Sequence, residues 1–373
     1  DSIDLFNKTF KKDDLFINKS LAKTLTAISN NGADEFYKGE IANTLSSYII
    51  EKGGIITKED FALYKPVWRE SLELKYKNLN IITMGPPSSG GIVLGQILQM
   101  IENYDLNELG HNSEKYIQLL VEAEKLSFSD RSKYLGDPDF NYIPINELLD
   151  KDYLKSRFNF FSFDKALPSE NISPGELLIN ESNETTHYSI VDKFGNAVSV
   201  TTTLNGNYGS KLIAPELGFF LNNEMDDFSI KPGSPNMYGL IGGKTNSIEP
   251  EKRMLSSMTP SIVELNGNLS MVLGSPGGPT IITSVLQTLI NFYEFDFNMQ
   301  QSVDASRFHH TWLPDIIFYE KNIFSEKVRD NLVKKGYIMN SNYSTIGRVD
   351  AIYIDENKIF YGGEDKRGDD KSI

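Results

Sequence analysis

The sequence contains 373 residues, of which 39% are hydrophobic and 24% are charged, and this is enough apolar material for one or two packed domains. Its 37 Lys and Arg residues against 51 Asp and Glu residues give a formal net charge of −14, which disfavours binding to nucleic acid phosphates and anionic lipid surfaces. The absence of cysteine excludes disulfides, thiolate metal sites and cysteine nucleophiles.

The first half of the chain carries helix signals. Residues 85–91 (GPPSSGG) precede the apolar stretch 92–101, which predicts a strand, a turn and a helix with polar caps. The spacing of an amphipathic helix recurs further on, behind possible caps at Asn112 and Ser113, in the apolar residues Tyr116, Leu119, Leu120, Ala123 and Leu126. No apolar run approaches the roughly 20 residues that cross a bilayer, and no targeting leader is recognisable at the start.

A polar run separates the two halves of the chain. The composition shifts over residues 158–184 and ends in NESNE at 180–184, which predicts an exposed segment. We place the main functional boundary at its end, between a helix-rich part at 1–184 and a second part at 185–373.

The second half carries strand signals. Three hairpins are predicted, from 186–191 with 197–204, from 261–265 with 269–273 through an Asn266-Gly267 turn, and from 351–354 with 358–361. A helix is predicted over 280–292. Helices followed by antiparallel hairpins predict layered α+β packing around a central sheet.

The four histidines do not have the spacing of metal ligands. None of His111, His187, His309 and His310 belongs to an HExxH pattern, so the sequence indicates no metal and no cofactor. His309 and His310 would point to opposite faces of a strand, and we interpret both as structural. For His187 two interpretations stay open, a packed polar core residue and a residue of a site.

A glycine-rich segment offers a possible anion site. Residues 274–278 (GSPGG) do not match the G-x-S-x-G nucleophile elbow. They combine a strand end, the pair Gly277 and Gly278, and Pro279 in the first turn of a helix, where backbone N–H groups could converge on a negatively charged oxygen. An oxyanion hole is one interpretation, and a phosphate cradle or a simple tight turn are the alternatives.

Without cysteine or a catalytic triad, the remaining route to a nucleophile is an N-terminal threonine. Its α-amine titrates near pH ~8 and can take the hydroxyl proton. Thr185 acquires such an amine only if the Glu184–Thr185 bond is cut, and the polar run before a strand that begins with threonine is a plausible place for that cut. Because threonine is common at the start of strands, spacing alone leaves an ordinary strand residue as the alternative.

The segment 185–192 (TTHYSIVD) resembles the processing site of γ-glutamyltranspeptidases, members of the N-terminal-nucleophile hydrolase superfamily. The resemblance continues in order through residues 203–205, 221–228, 231–233, 253–258, 274–278 and 307–310, and upstream at 36–39 and 86–91. It implies a four-layer αββα sandwich of the α+β class, in which 1–184 is the latter part of the large subunit and 185–373 is the small, catalytic subunit.

The resemblance also implies an activity. Thr185 would cleave the chain at Glu184, leaving a heterodimer, and would then attack the γ-carbonyl of glutathione or a related small molecule and pass the glutamyl group to water or to an amino acid or peptide. It implies a secreted or periplasmic protein, and it implies that the front of a family precursor, with an arginine that pairs with the glutamyl carboxylate, lies outside this chain.

Further residues take implied roles from the matched motifs. Thr203 would orient Thr185, and the amides of Gly277 and Gly278 would form the oxyanion hole. The substrate's amino acid head group would be bound by Asn205, Glu224, Asp227, Ser256 and Ser257, with Tyr238 as a lid residue. Without the family match these are an ordinary strand threonine, solvated loop carboxylates and a surface tyrosine.

Two alternatives stay open. One is a poly-γ-glutamate hydrolase or related acylase of the same family. The other is a truncated, non-catalytic homologue that acts as a binding or structural protein, which would remain a single fragment on a denaturing gel.

Overall fold

The computed structural model describes residues 6–175, 186–237, 239–341 and 345–372, the side chain of Thr186 excepted. Within these ranges the chain forms two compact units. The first takes the residues up to Arg69 and the insertion Gly206–Asn223, and the second takes Glu70–Asn205 and Glu224–Ile373. The predicted boundary after residue 184 concerns a covalent bond, so it stays a prediction.

The first unit consists of short helices around a small apolar core. Its elements are α1 (Lys19–Asn31), α2 (Ala33–Tyr37), α3 (Glu40–Glu51), α4 (Lys58–Leu63), β5 (Ile213–Ala214) and β6 (Phe219–Phe220). Ile41 and Leu45 pack on Ala214 and Leu217. The Oγ1 atom of Thr24 donates to the Leu217 carbonyl at 2.9 Å, which ties α1 to the insertion.

The second unit is built on a six-stranded antiparallel sheet with the order β1-β2-β7-β8-β12-β13. Its strands are β1 (Leu72–Tyr76), β2 (Leu79–Thr83), β7 (Ser261–Leu265), β8 (Asn268–Gly274), β12 (Asp350–Ile354) and β13 (Phe360–Gly363). A two-stranded ribbon of β3 (Thr186–Val191) and β4 (Ala197–Thr202) lies over β7, β8 and β12. The short strands β9 (Phe308–His309), β10 (Ile317–Tyr319) and β11 (Met339–Asn340) form a separate sheet.

Helices complete the second unit. They are α5 (Gly90–Ile101), α6 (Leu106–Leu109), α7 (Glu114–Tyr134), α8 (Ile145–Leu148), α9 (Lys151–Phe158), α10 (Thr280–Tyr293), α11 (Met299–Asp304) and α12 (Glu326–Lys334), with 3₁₀ turns at Ser169–Asn171 and Glu224–Asp227. Helix α5 packs on β1, α7, α9 and α10. Strand β8 is buried from Ser270 to Gly274 without alternation, because helices and the ribbon cover it from both sides.

Most of the predicted elements are confirmed. The three hairpins form, and Asn266 and Gly267 have φ values of 53° and 80°, as the predicted type I′ turn requires. The last hairpin begins its second strand at Phe360, two residues later than predicted. In the described part of the chain, no helix has both the length and the apolar character needed to cross a membrane.

Three details of the helix predictions are wrong. Helix α7 is not amphipathic, because nearly all of it is buried, including charged side chains such as Lys125, which pairs with Glu122 at 3.2 Å. Ser113 caps it by accepting from Tyr116 N–H at 3.1 Å, whereas Asn112 does not. Helix α5 has no side-chain cap at Ser89, whose hydroxyl donates to another loop instead.

Candidate functional site

Thr203 lies at the end of the ribbon where β3 begins. Thr186 pairs with Thr202 in the antiparallel ladder, and Thr203 lies one residue beyond this pair. Its Oγ1 atom accepts the N–H of Asn205 at 2.7 Å, a short turn helped by the left-handed φ of 68° that asparagine tolerates. Since the oxygen is an acceptor in this bond, the hydroxyl proton can be donated to another group.

His187 is packed between the ribbon and the sheet. Its ring nitrogens lie 2.9 Å from Thr201 Oγ1 and 3.0 Å from Ser189 Oγ, and burial lowers its pKa to about 3, so the ring is neutral. A Cβ atom on Gly274 would overlap the ring, which explains the glycine at the end of β8. This geometry favours the interpretation of His187 as a packed core residue. Its ring packs the ribbon against the end of β8, next to the glycine-rich segment 274–278.

His309 and His310 have structural partners, as predicted. His309 Nδ1 lies 2.9 Å from Thr283 Oγ1, and His310 Nε2 lies 3.1 Å from Asp315 Oδ1. Burial lowers the pKa of His309 to about 3 and that of His310 to about 4. Across the described ranges, no group of three or more His, Asp or Glu side chains is arranged to hold a metal ion.

The glycine pair lies between β8 and α10. Gly277 and Gly278 have φ values of 123° and 60°, and their carbonyls accept from Thr280 N–H and Ile281 N–H at 3.2 and 2.9 Å. Neither glycine N–H donates a hydrogen bond within the described residues. Two amides with unused hydrogens at the start of a helix can bind a negatively charged oxygen.

The 3₁₀ turn Glu224–Asp227 (the acidic turn) begins near Asn205 because the two ends of the insertion Gly206–Asn223 meet. The N–H of Gly206 donates to Asn223 Oδ1 at 2.8 Å, so the two ends of the insertion meet. Their chain neighbours Asn205 and Glu224, both in the second unit, therefore lie only one peptide from this contact. Burial raises the pKa of Glu224 to about 7.

Asn246 connects the acidic turn to the loop that contains Ser256 and Ser257 (the serine loop), and the sequence analysis missed it. Its Nδ2 atom donates to the Asp227 carbonyl at 2.7 Å, and its Oδ1 atom accepts the N–H of Leu255 at 3.1 Å. Asn246 is fully buried and Asp227 is 1% exposed. The connection holds Asp227 in a fixed relation to the segment that leads into Ser256 and Ser257.

The serine loop rests on the turn before α5. Ser256 N–H donates to the Pro87 carbonyl at 2.7 Å, and the Ser256 carbonyl accepts Ser89 N–H at 2.7 Å and Ser89 Oγ at 2.9 Å. Ser88 Oγ donates to the Met258 carbonyl at 2.7 Å. The hydroxyls of both serines of the PPSSGG segment therefore hold the backbone of the serine loop, and Ser88 Oγ also accepts the N–H of Gly90, the first residue of α5, at 3.2 Å.

The structure thus groups the predicted residues in three places. Thr203 and Asn205 are in contact, and Asp227 is joined to the serine loop through Asn246. Gly277 and Gly278 form the third group, close to Gly274, where the ribbon packs on the sheet through His187. Glu184, Thr185 and Tyr238 lie outside the described residues. Asn246 carried no signal in the sequence, since a lone asparagine in a polar loop is ordinary.

Comparison with known proteins supplies the family context. The family model described as Gamma-glutamyltranspeptidase matches residues 3–373. A glutathione hydrolase proenzyme of Escherichia coli (strain K12) is 46% identical over 360 residues, which cover 96% of this chain and 62% of that protein. One of Pseudomonas aeruginosa is 43% identical over 381 residues, which cover 99% of this chain and 68% of that protein. The chain therefore spans about three fifths to two thirds of the length of these relatives.

Solved structures show the same fold. The cephalosporin acylase of Bacillus halodurans superposes with a TM-score of 0.85 at 23% identity, covering 99% of this chain and 65% of the acylase. At that identity the likeness speaks for the fold alone. It confirms the predicted α+β sandwich.

Proposed function

Because the chain belongs to the γ-glutamyltranspeptidase family, we propose that it is a self-cleaving γ-glutamyl hydrolase and transferase with Thr185 as its nucleophile. The names of its relatives, glutathione hydrolase proenzyme, support glutathione and similar γ-glutamyl compounds as substrates. The word proenzyme in those names supports processing into two subunits.

The proposed maturation consumes one water molecule. Thr185 Oγ attacks the carbonyl carbon of Glu184, the C–N bond to Thr185 breaks, and the amine receives the proton as an ester forms. Water then hydrolyses the ester, which leaves a carboxylate on Glu184 and restores the hydroxyl beside a free α-amine. That amine acts as the general base for the hydroxyl in later turnovers.

The proposed turnover passes through an acyl-enzyme. The Thr185 hydroxyl adds to the γ-carbonyl of the substrate, and the amides of Gly277 and Gly278 stabilise the oxyanion, by typically ~3 kcal/mol per donor. The leaving amine takes the proton and departs. Water or an acceptor amine then attacks the γ-glutamyl ester and releases glutamate or a new γ-glutamyl amide.

The observation that carries the substrate assignment is the link between the acidic turn and the serine loop through Asn246. A buried carboxylate and two serine hydroxyls in one fixed arrangement complement an ammonium and a carboxylate on the same carbon. A free amino acid head group has this pair of charges, whereas the interior residues of a polymer in amide linkage do not carry the ammonium.

The proposal is tested by incubating the purified protein with glutathione and following release of glutamate and cysteinylglycine. Glutamyl anilides joined through the γ- and the α-carboxyl group are compared in parallel, together with poly-γ-glutamate. We expect turnover of glutathione and the γ-anilide alone. Shortening of the polymer without turnover of glutathione would favour the polymer hydrolase, and no turnover of any compound would favour the non-catalytic homologue.

Asp227→Asn is expected to raise KM for the γ-anilide about 10- to 100-fold with a smaller change in kcat. A hydrogen bond to a charged partner contributes about 1.5–3 kcal/mol, and the amide removes the charge while keeping the shape. Asp226→Asn, in the same turn, is the matched control and should stay within about threefold of wild type. Equal effects of the two variants on KM would contradict the assignment of Asp227.

Substrate affinity is expected to fall as the pH falls through 7. Burial raises the pKa of Glu224 to about 7, so in the empty site this carboxyl is mostly protonated below that pH. A bound ammonium favours the ionised form, so binding releases a proton and strengthens as the pH rises. When the pH is lowered from 7.5 to 6, we expect the Kd for L-glutamate, measured by calorimetry, to rise roughly tenfold. Glu224→Gln should remove this dependence, and an unchanged pH profile in that variant would contradict the role of Glu224.

A further inference from the structure

Arg131 is buried directly behind the serine loop. It lies on α7 with 1% of its surface exposed, which makes it one of the largest fully buried side chains that the structure describes. Its Nε atom donates to Ser89 Oγ at 2.9 Å, and one terminal nitrogen lies 3.4 Å from Ser257 Oγ. The guanidinium therefore contacts both the loop that supports the serines and one of the serines itself.

The first consequence concerns the direction in which the serine hydroxyls donate. Ser257 Oγ accepts from Arg131, and Ser256 Oγ accepts the N–H of Met258 at 3.0 Å. Among the described residues, neither hydroxyl donates a hydrogen bond to the protein. A hydroxyl has one proton, so both are held as donors for a bound acceptor such as a carboxylate.

The second consequence concerns the backbone of the loop. Arg131 donates to Ser89 Oγ, and Ser89 Oγ in turn donates to the Ser256 carbonyl at 2.9 Å. The same carbonyl accepts Ser89 N–H. This relay fixes the loop at a point one residue from the Ser257 hydroxyl, so the geometry of the serine pair depends on the position of the guanidinium.

The third consequence is electrostatic. Arginine stays protonated inside proteins, and the potential of a buried cation is screened less than that of an exposed one. At 3.4 Å the contact with Ser257 is long for a hydrogen bond, so we assign its effect to orientation and potential rather than to bond strength. A carboxylate bound to the two serine hydroxyls would lie close to this positive charge.

We infer that Arg131 is a positioning residue that makes the serine loop selective for a carboxylate, by holding both hydroxyls as donors and placing a positive charge behind them. The inference rests on the proposed function, since the carboxylate is taken to be the α-carboxylate of the γ-glutamyl group. It goes beyond that function by assigning a determinant of specificity that does not itself contact the substrate.

Calorimetry with a pair of matched ligands tests this inference. L-glutamate and its α-amide differ only in whether the α-substituent is charged, and both keep the ammonium and the γ-carboxylate. We expect the wild type to bind glutamate more tightly, and Arg131→Met to weaken glutamate binding about 10- to 100-fold with little change for the α-amide. Arg131→Lys, which keeps a charge without the planar fork, should recover part of the preference.

Two further variants separate positioning from folding. Ser89→Ala keeps the guanidinium but breaks the relay, and it should reduce the preference for glutamate about three- to tenfold even if Arg131→Met fails to fold. Arg157→Met, on α9, removes one of the partners of Asp130, the neighbour of Arg131 on α7; this variant is the matched control and should leave the preference unchanged.

Two outcomes would overturn the inference. One is that the wild type binds L-glutamate and its α-amide equally. The other is that the Arg131→Met and Ser89→Ala variants fold but keep the wild-type ratio of the two Kd values, including by binding both ligands more weakly to the same extent. Turnover of γ-glutamyl anilide is followed in the same samples. If the variants turn over the anilide and keep the wild-type ratio of the two Kd values, the role of Arg131 is rejected and the proposed function is kept. If the ratio changes but no sample, including wild type, turns over the anilide, the role of Arg131 is kept and the proposed function is rejected.

Discussion

Thr185→Ala is expected to abolish both self-cleavage and γ-glutamyl turnover. The variant lacks the hydroxyl that attacks the Glu184 carbonyl, so the chain should remain a single fragment on a denaturing gel. It also lacks the nucleophile for the γ-carbonyl, so release of the amine from a γ-glutamyl anilide should fall to background. Both effects follow from one oxygen atom.

Two companion variants make this prediction specific. Thr185→Ser keeps a hydroxyl beside the future α-amine and should cleave itself and turn over substrate at reduced rates. Thr186→Ala changes the next residue and should be processed like the wild type. If Thr185→Ala were processed at the wild-type rate, or if it turned over the anilide, another residue would have to be the nucleophile.

Gly277→Ala is expected to lower kcat about 10²- to 10³-fold, the loss typical of removing one oxyanion donor. At a φ of 123° an alanine is strained, and its Cβ atom would lie 2.6 Å from Thr280 Oγ1 and 3.1 Å from the Cα atom of Gly347. The loop must shift to relieve these contacts, which moves the amides away from the developing charge. KM should change much less than kcat.

Gly267→Ala is the matched control for this variant. Gly267 also has a positive φ, of 80°, but nothing lies within 4 Å of a Cβ atom built there, and it is in the turn between β7 and β8. The control should lose about 1–2 kcal/mol of stability and keep the wild-type kcat. Full activity of folded, processed Gly277→Ala would contradict the oxyanion role.

Local signals predicted the hairpins and several helix ends. Asn266 and Gly267 specify their turn because both residues need positive φ, and Ser113 specifies the start of α7 because its hydroxyl accepts a backbone N–H of the first turn. Such signals involve residues a few positions apart, so a short stretch of sequence contains every residue that takes part. These signals can therefore be recognised without knowledge of the tertiary structure.

Contacts between distant segments could not be predicted in this way. Ser89 is in the position of a helix cap, yet its hydroxyl bonds a carbonyl at residue 256, which belongs to a loop that follows in the chain much later. Arg131 lies eight residues after Ala123, so the helical period groups it with the apolar residues from which the helix was predicted. That conflict between charge and period was a signal of a buried role, but its partners became known only from the fold.

The candidate site shows the same division. The residue types at Asn205, Asp227, Ser256 and Ser257 and their match to a family pointed to an amino acid head group, whereas burial and the Asn246 link determine which of them are held rigidly. A carboxylate in a polar turn gives no sign in the sequence that it will be 1% exposed, as Asp227 is. Burial is a property of the packed chain.

N-terminal sequencing of the purified, active protein tests the central claim most directly. The account predicts two polypeptides, and the smaller one should begin Thr-Thr-His-Tyr, because cleavage between Glu184 and Thr185 creates the amine that activates the nucleophile. Active protein in which no polypeptide begins at Thr185 would contradict the account.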